Sequence, residues 1–281
     1  MSHFGILNVN KPAGCSSRHV VDRIERLVRP AKAGHAGTLD PLAVGVLVVC
    51  VGQATRLISY VQQMPKQYRA TFVLGRRSDT DDLEGEVTEI AGAPVPSRSK
   101  LDATLPQFLG DIQQVPPVHS AIKVGGRRSY KLARAGKAIE LAPRMVTIHR
   151  LAICRYEYPV LELDIGCGSG TYVRSLGRDL AAALGTSAVM SALERTAIGG
   201  FHVRDALPLE DATADSVTQH LQPALAALAN LPQVSLSELQ LVELRHGRPI
   251  AMNARAVPLG VGETSPYAAV NAAGELVAIL R

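Results

Sequence analysis

The feature that most constrains this chain is the apolar run from Val44 to Val51, Val-Gly-Val-Leu-Val-Val-Cys-Val. It is short, β-branched and bounded by Gly45 and Gly52, which reads as a buried strand or a tightly packed core segment. Immediately before it stands Gly34-His35-Ala36-Gly37-Thr38-Leu39-Asp40-Pro41-Leu42-Ala43, with one carboxylate, Asp40, between flexible glycines and the run. The proline after Asp40 pushes its backbone away from the helical region and holds it extended. Gly34, Gly37 and Gly45 permit backbone conformations and close ligand approaches that a Cβ would block. A carboxylate held this way against a rigid core suits a nucleophile or a base. Asp-Pro also opens ordinary turns, and the dipeptide alone does not separate the two readings.

A length of 281 residues leaves room for one large domain and a small one. With 47% hydrophobic and 20% charged residues, the composition is that of a soluble globular protein. The longest apolar run, Leu42 to Val51, falls short of the roughly 20 residues that cross a bilayer. No basic-then-apolar leader is visible at Met1–Gly5. Cys15, Cys50, Cys154 and Cys167 are scattered, with no Cys-x-x-Cys pair. That argues against a structural zinc site or a disulfide framework and fits a reducing cytoplasm. The net charge of +5 leaves a polyanionic partner open.

Along the chain, Phe4–Val9 reads as a strand and Asn10-Lys11-Pro12-Ala13-Gly14 as a turn. Ser16 or Ser17 then caps a helix carrying Val20, Ile24 and Val28. Residues 54–61 read as a helix. In Lys66–Gly75, Tyr68, Ala70, Phe72 and Leu74 alternate with Arg69, Thr71 and Val73, the pattern of a strand. Tyr68 is either a core tyrosine with a satisfied hydroxyl or a ring free to stack. Residues 76–98 are loop-like, and Asp79, Asp81, Asp82 and Glu84 lack the spacing of a calcium loop, so they read as a solvated turn. A helix from Ser99 to Gly110 follows. From Ile112 to Ile139 there is no acidic residue, while Lys123, Arg127, Arg128, Lys131, Arg134 and Lys137 surround Gly125-Gly126. Such a run is a solvated face or, around a glycine hinge, an arm that contacts phosphates.

Val146–Tyr158 and Leu161–Cys167 read as strands, and Leu176, Leu180 and Leu184 mark a helix that stops at Gly185. Arg174 lies near the start of that helix, where the macrodipole gives a cation no benefit. It either needs an anionic partner from elsewhere or sits in water. Residues 205–233, with Pro208, Pro223 and Pro232, look like the exit from the main domain. Beyond them lie a short helix (Glu238–Arg245), brief apolar strands at 249–252 and 256–259, and a hairpin over 267–280. A module this small leans on the main domain.

Gly34-His-Ala-Gly-Thr-Leu-Asp40-Pro-Leu-Ala-x-Gly-x-Leu47, ungapped, resembles the catalytic motif of the TruB family of tRNA pseudouridine synthases. Asn10-Lys11-Pro12-x-Gly-x-Ser-Ser resembles that family's N-terminal signature, Lys66-x-Tyr68 its aromatic motif, and Gly170-Thr-Tyr172-x-Arg174-Ser its second active-site motif. Thr38 and Val44 vary within the first motif, and Ser-Gly-Thr-Tyr replaces the commoner Lys/Arg-Gly-Thr-Tyr. The resemblance implies isomerisation of uridine 55 in the T-loop of tRNA. It casts Asp40, Tyr68 and Arg174 as catalytic, with Arg174 paired to Asp40. His35, Tyr172, Leu193 and Lys11 become substrate-binding residues, although Lys11 also reads as a solvated turn lysine, and His35 and Leu193 as structural. Arg127 and Arg128 belong to an RNA-gripping insertion at about 112–145. The implied architecture is α+β: a mixed, largely antiparallel sheet with flanking helices and a central cleft over residues 1–232. A small C-terminal β-barrel, similar to a PUA domain, would follow over 233–281. The tRNA is the only partner implied.

The chemistry is consistent with that set. Moving a uridine from nitrogen to carbon linkage requires breaking the glycosidic bond, turning the base and rejoining it. A carboxylate nucleophile divides this into easier steps. Desolvation raises such a group's pKa and a guanidinium opposes the rise. No metal or redox cofactor is required. A non-catalytic RNA-binding or RNA-chaperone protein is the rival reading. A glycosidase-like hydrolase needs two carboxylates about 5–9.5 Å apart, and neither active-site motif carries a second acid.

Overall fold

The computed structural model describes residues 4–118, 123–124, 127–128, 141–250 and 266–280. In chain order the strands are β1 (Gly5–Lys11), β2 (Ala33–His35), β3 (Val44–Val51), β4 (Lys66–Leu74), β5 (Arg76–Arg77), β6 (Thr88–Glu89), β7 (Gly110–Gln114), β8 (Lys123–Val124) and β9 (Arg127–Arg128). They continue with β10 (Arg144–Glu157), β11 (Val160–Cys167), β12 (Ala188–Ile198), β13 (Phe201–His202), β14 (Leu207–Pro208), β15 (Gln233–Ser235), β16 (Tyr267–Val270) and β17 (Leu276–Leu280). One ten-stranded sheet dominates, in the order β14-β1-β3-β12-β4-β11-β10-β7, with β2 on β3 and β13 on β12. Its pairings are antiparallel except β1 with β14 and β3 with β12.

The apolar run is the strand β3, and it is apolar throughout because both of its faces are covered. Leu47, Val49 and Val51 pack against Val20, Val21 and Ile24 of the helix Ser17–Leu27. Val46, Val48 and Cys50 face Leu57, Val61 and Phe201 on the other side. Ser16 caps that helix by accepting the His19 N–H at 3.1 Å. Beyond β12, the inner faces of β4 and β11 pack with Val173, Leu176 and Leu180 of the helix Val173–Ala183. Gly177 makes this docking close, since a Cβ there would collide with the Phe72 ring.

Two helix expectations are corrected. Residues 54–61 are split between a 3₁₀ turn, Gly52–Leu57, and a short helix, Ile58–Gln63. The stretch from Ser99 divides into a helix capped by Ser97, Arg98–Thr104, and a 3₁₀ turn containing Pro106. Proline removes a backbone donor and ends the regular helix. In the tail, β15, β16 and β17 form an open three-stranded sheet. Ala268, Leu276 and Ile279 join the apolar cluster of Val48 and Leu57, so this segment does lean on the main sheet. The described residues close no barrel; most of the strands expected at 249–259 lie outside them.

Candidate active site

Residues between β2 and β3 form an irregular loop whose backbone groups are held by side chains from elsewhere. Lys11 Nζ donates to the carbonyls of Ala43 (2.7 Å), Pro12 (2.8 Å) and Pro41 (3.3 Å). The Ser17 hydroxyl donates to the Leu39 carbonyl at 3.0 Å and accepts the Leu39 N–H at 2.8 Å. Arg195 donates to Val46 (2.8 Å), Gly37 (3.2 Å) and Thr38 (3.3 Å). Asp40 sits in the middle of this pinned segment. Gly45, at φ +98°, lets β3 pass so close to β12 that a Cβ would strike the Arg195 carbonyl.

Arg174 is the second residue of its helix and is only 6% exposed. Its Nε lies 3.1 Å from Asp40 Oδ2, so the expected pair is present. Its Nη1 donates to the Thr80 carbonyl at 2.8 Å and lies 3.2 Å from Asp82 Oδ2. Asp82 is 1% exposed, and its Oδ1 accepts the Thr80 hydroxyl (2.6 Å) and the Glu84 N–H (3.0 Å). The turn expected to be solvated is therefore docked onto this helix, with Asp81 pairing to Arg178 one turn further along at 2.9 Å. A second acid does stand close to the site. It lies behind Arg174 and outside the cleft lining, so it is not placed as a hydrolase's second carboxylate. Burial raises the pKa of Asp40; Arg174 opposes that rise and the negative Asp82 adds to it.

A cleft of about 380 Å³ opens at Asp40. Its walls are the Gly37–Asp40 loop, the Gly168–Arg174 turn, Gln62, Lys66 and Tyr68 of β4, and Leu193 and Arg195 of β12. Tyr172 belongs to this wall, and its backbone N–H is held by Gln114 Oε1 at 2.8 Å. Tyr68 is buried, and its phenol is raised by burial against the opposing Arg195. Lys66 is brought down to about 8 by burial, with Arg195 adding to the fall.

The structure thus brings together Asp40, Tyr68, Arg174, Tyr172 and Leu193. Lys11 is not at the cleft and is not a solvated turn lysine. It is fully buried and its ammonium is spent on three loop carbonyls. His35 is in β2, opposite Val49, and does not line the cleft. Arg127 and Arg128 form β9, paired with β8; their side chains lie outside the description. Asp82 and Arg195 were not singled out by sequence. A polar turn and a charged residue inside a strand carry no local sign of burial.

The model of the TruB family pseudouridylate synthase (N terminal domain) matches residues 25–173. A tRNA pseudouridine synthase B from Arthrobacter sp. (strain FB24) is 42% identical over 283 residues, covering 98% of this chain and 92% of that protein. The tRNA pseudouridine synthase B of Sinorhizobium medicae (strain WSM419) is 40% identical over 286 residues, covering 98% and 91%. Among solved structures, a chain of a Cbf5-Nop10-Gar1 complex superposes with a TM-score of 0.77 at 27% identity, covering 98% of this chain and 77% of that one. A chain of an H/ACA RNP bound to a substrate RNA containing 2′-deoxyuridine gives 0.75 at 26% identity, with coverage of 98% and 77%. The family match across more than half the chain, and relatives of this identity along nearly all of it, make the protein a member of the TruB family of pseudouridylate synthases.

Proposed function

We propose that the protein isomerises uridine 55 in the T-loop of tRNA to pseudouridine, with Asp40 as the catalytic carboxylate. One observation carries this reading: the half-buried Asp40 borders a nucleotide-sized cleft while a buried guanidinium stands 3.1 Å behind it. Desolvation favours the protonated acid, and the guanidinium holds the ionised form that the chemistry needs. Tyr68 stacks on the extruded base, and Leu193 and Tyr172 close the apolar walls around it. Extrusion costs a few kcal/mol, and His35, just outside the cleft, props the vacated stack. The tRNA substrate follows from the names of the curated relatives.

In this account, residues 1–232 form the catalytic domain. The basic stretch at about 112–145, with Arg127 and Arg128, grips the phosphate backbone. Residues 233–281 form a PUA-like RNA-binding module. The protein works in the cytoplasm without an obligate protein partner. Incubation with unmodified tRNA, followed by mapping of pseudouridine at nucleotide resolution, tests the reading. Product at position 55 is expected. Product only elsewhere, or none from folded protein, contradicts it.

A further inference from the structure

Lys66 and Arg195 are both nearly sealed from solvent, at 7% and 2% exposure, and both border the cleft. Among the described residues, neither is in ion-pair contact with a carboxylate. The Arg195 guanidinium is spent on loop carbonyls. Lys66 differs: its ammonium donates to the Gln62 carbonyl, which leaves N–H donors for something else. Lys66 lies one pleat repeat from Tyr68 on β4, about 7 Å along the strand. Arg195 acts against its charged form and Cys167 in favour of it, whereas Asp40 has Arg174 and Lys11 favouring its charged form and Asp82 opposing it. The surroundings of the cations differ too: Arg195 is bonded to the Gly37 and Thr38 carbonyls of the Asp40 loop, whereas no carboxylate is among the groups acting on Lys66.

A buried cation without a counter-ion is costly, and a binding site keeps one where the ligand brings the anion. In a nucleotide, uracil and ribose are neutral and the phosphodiester is the permanent anion. The Asp40 carboxylate repels it. We propose that Lys66 is a phosphate-binding residue that takes the phosphodiester flanking the extruded uridine, with Arg195 as a fixed positive charge beside it. This rests on the uridine-isomerase reading for the identity of the nucleotide. Lys66 near 8 in the free protein agrees with the geometry. The phosphate stabilises the ammonium, so affinity falls as pH rises through that value.

The test is binding of a T-arm stem-loop RNA in the Asp40→Asn background, where turnover does not intrude. Either phosphate flanking the target uridine is replaced by a neutral methylphosphonate. Lys66→Met is expected to weaken binding about tenfold and to reduce the salt slope by about 0.7–0.9. One of the two neutral linkages weakens binding to the Lys66 protein by a similar factor, and the two changes together cost little more than either alone. Lys66→Arg restores most of the affinity. The linkage series with Lys66 intact needs no lysine variant to fold. Additive losses for both linkages, an unchanged salt slope, or an unchanged Kd overturns the assignment. Failure of the isomerase reading is distinguishable, because it shows as no pseudouridine made by the unaltered protein on all-phosphate RNA.

Discussion

The guanidinium of Arg174, at the start of a helix, stands 3.1 Å from the carboxylate of Asp40, which arrives from a loop far earlier in the chain. The same guanidinium stands 3.2 Å from the buried Asp82. One planar fork thus faces two acids at once, which a single ammonium on a flexible stem does not reproduce.

Arg174→Lys keeps the charge and is expected to lower kcat/KM by at least about tenfold, a loss of roughly 1.4 kcal/mol of transition-state stabilisation. Arg174→Ala leaves the buried Asp82 and the half-buried Asp40 without their shared counter-charge. It is expected to destabilise the fold by about 3–5 kcal/mol, read by denaturant unfolding. Wild-type turnover from Arg174→Lys would contradict the role given to the fork.

Asp82→Asn removes a negative neighbour that raises Asp40. The Asp40 pKa then falls towards the ordinary carboxylate value. The acid limb of the kcat/KM profile is expected to move to lower pH, since Asp40 stays ionised further into acid. A limb that stays in place or moves up would separate Asp82 from the titration of Asp40.

What was legible in the sequence follows from what is local. The Asp40 loop announces itself through its glycines, its proline and the apolar strand behind it. Arg174 is recognisable as a cation at the wrong end of a helix, in need of an anion. Asp82 is not, because its burial is created by the docking of the Val173–Ala183 helix, which no pattern around residues 76–98 encodes. The same holds for Lys11 and Arg195. Both look like solvent-facing cations in sequence and are buried because they capture the carbonyls of the Asp40 loop.

Gly45→Ala tests the close passage of β3 and β12 that sets this loop. The residue is at φ +98° and an added Cβ meets the Arg195 backbone rather than a movable side chain. Destabilisation of about 1–3 kcal/mol from backbone strain is the minimum expected, with turnover falling as the loop shifts. Unfolding with and without the substitution measures the first, and single-turnover rates measure the second.

Asp40→Asn tests the central claim most directly. The pKa of Asp40 is raised by burial. The stabilising contribution linked to its proton is therefore full below the ordinary carboxylate value and lost as pH rises through the raised one. At neutral pH the ionised carboxylate is a desolvation cost offset by Arg174, so the amide is expected to keep the melting temperature within about 4 °C of the original protein, the equivalent of roughly 1 kcal/mol. The measurement is single-turnover pseudouridine formation on unmodified tRNA by the folded variant. The account predicts tRNA bound and no pseudouridine made; pseudouridine formed at the original rate would contradict it.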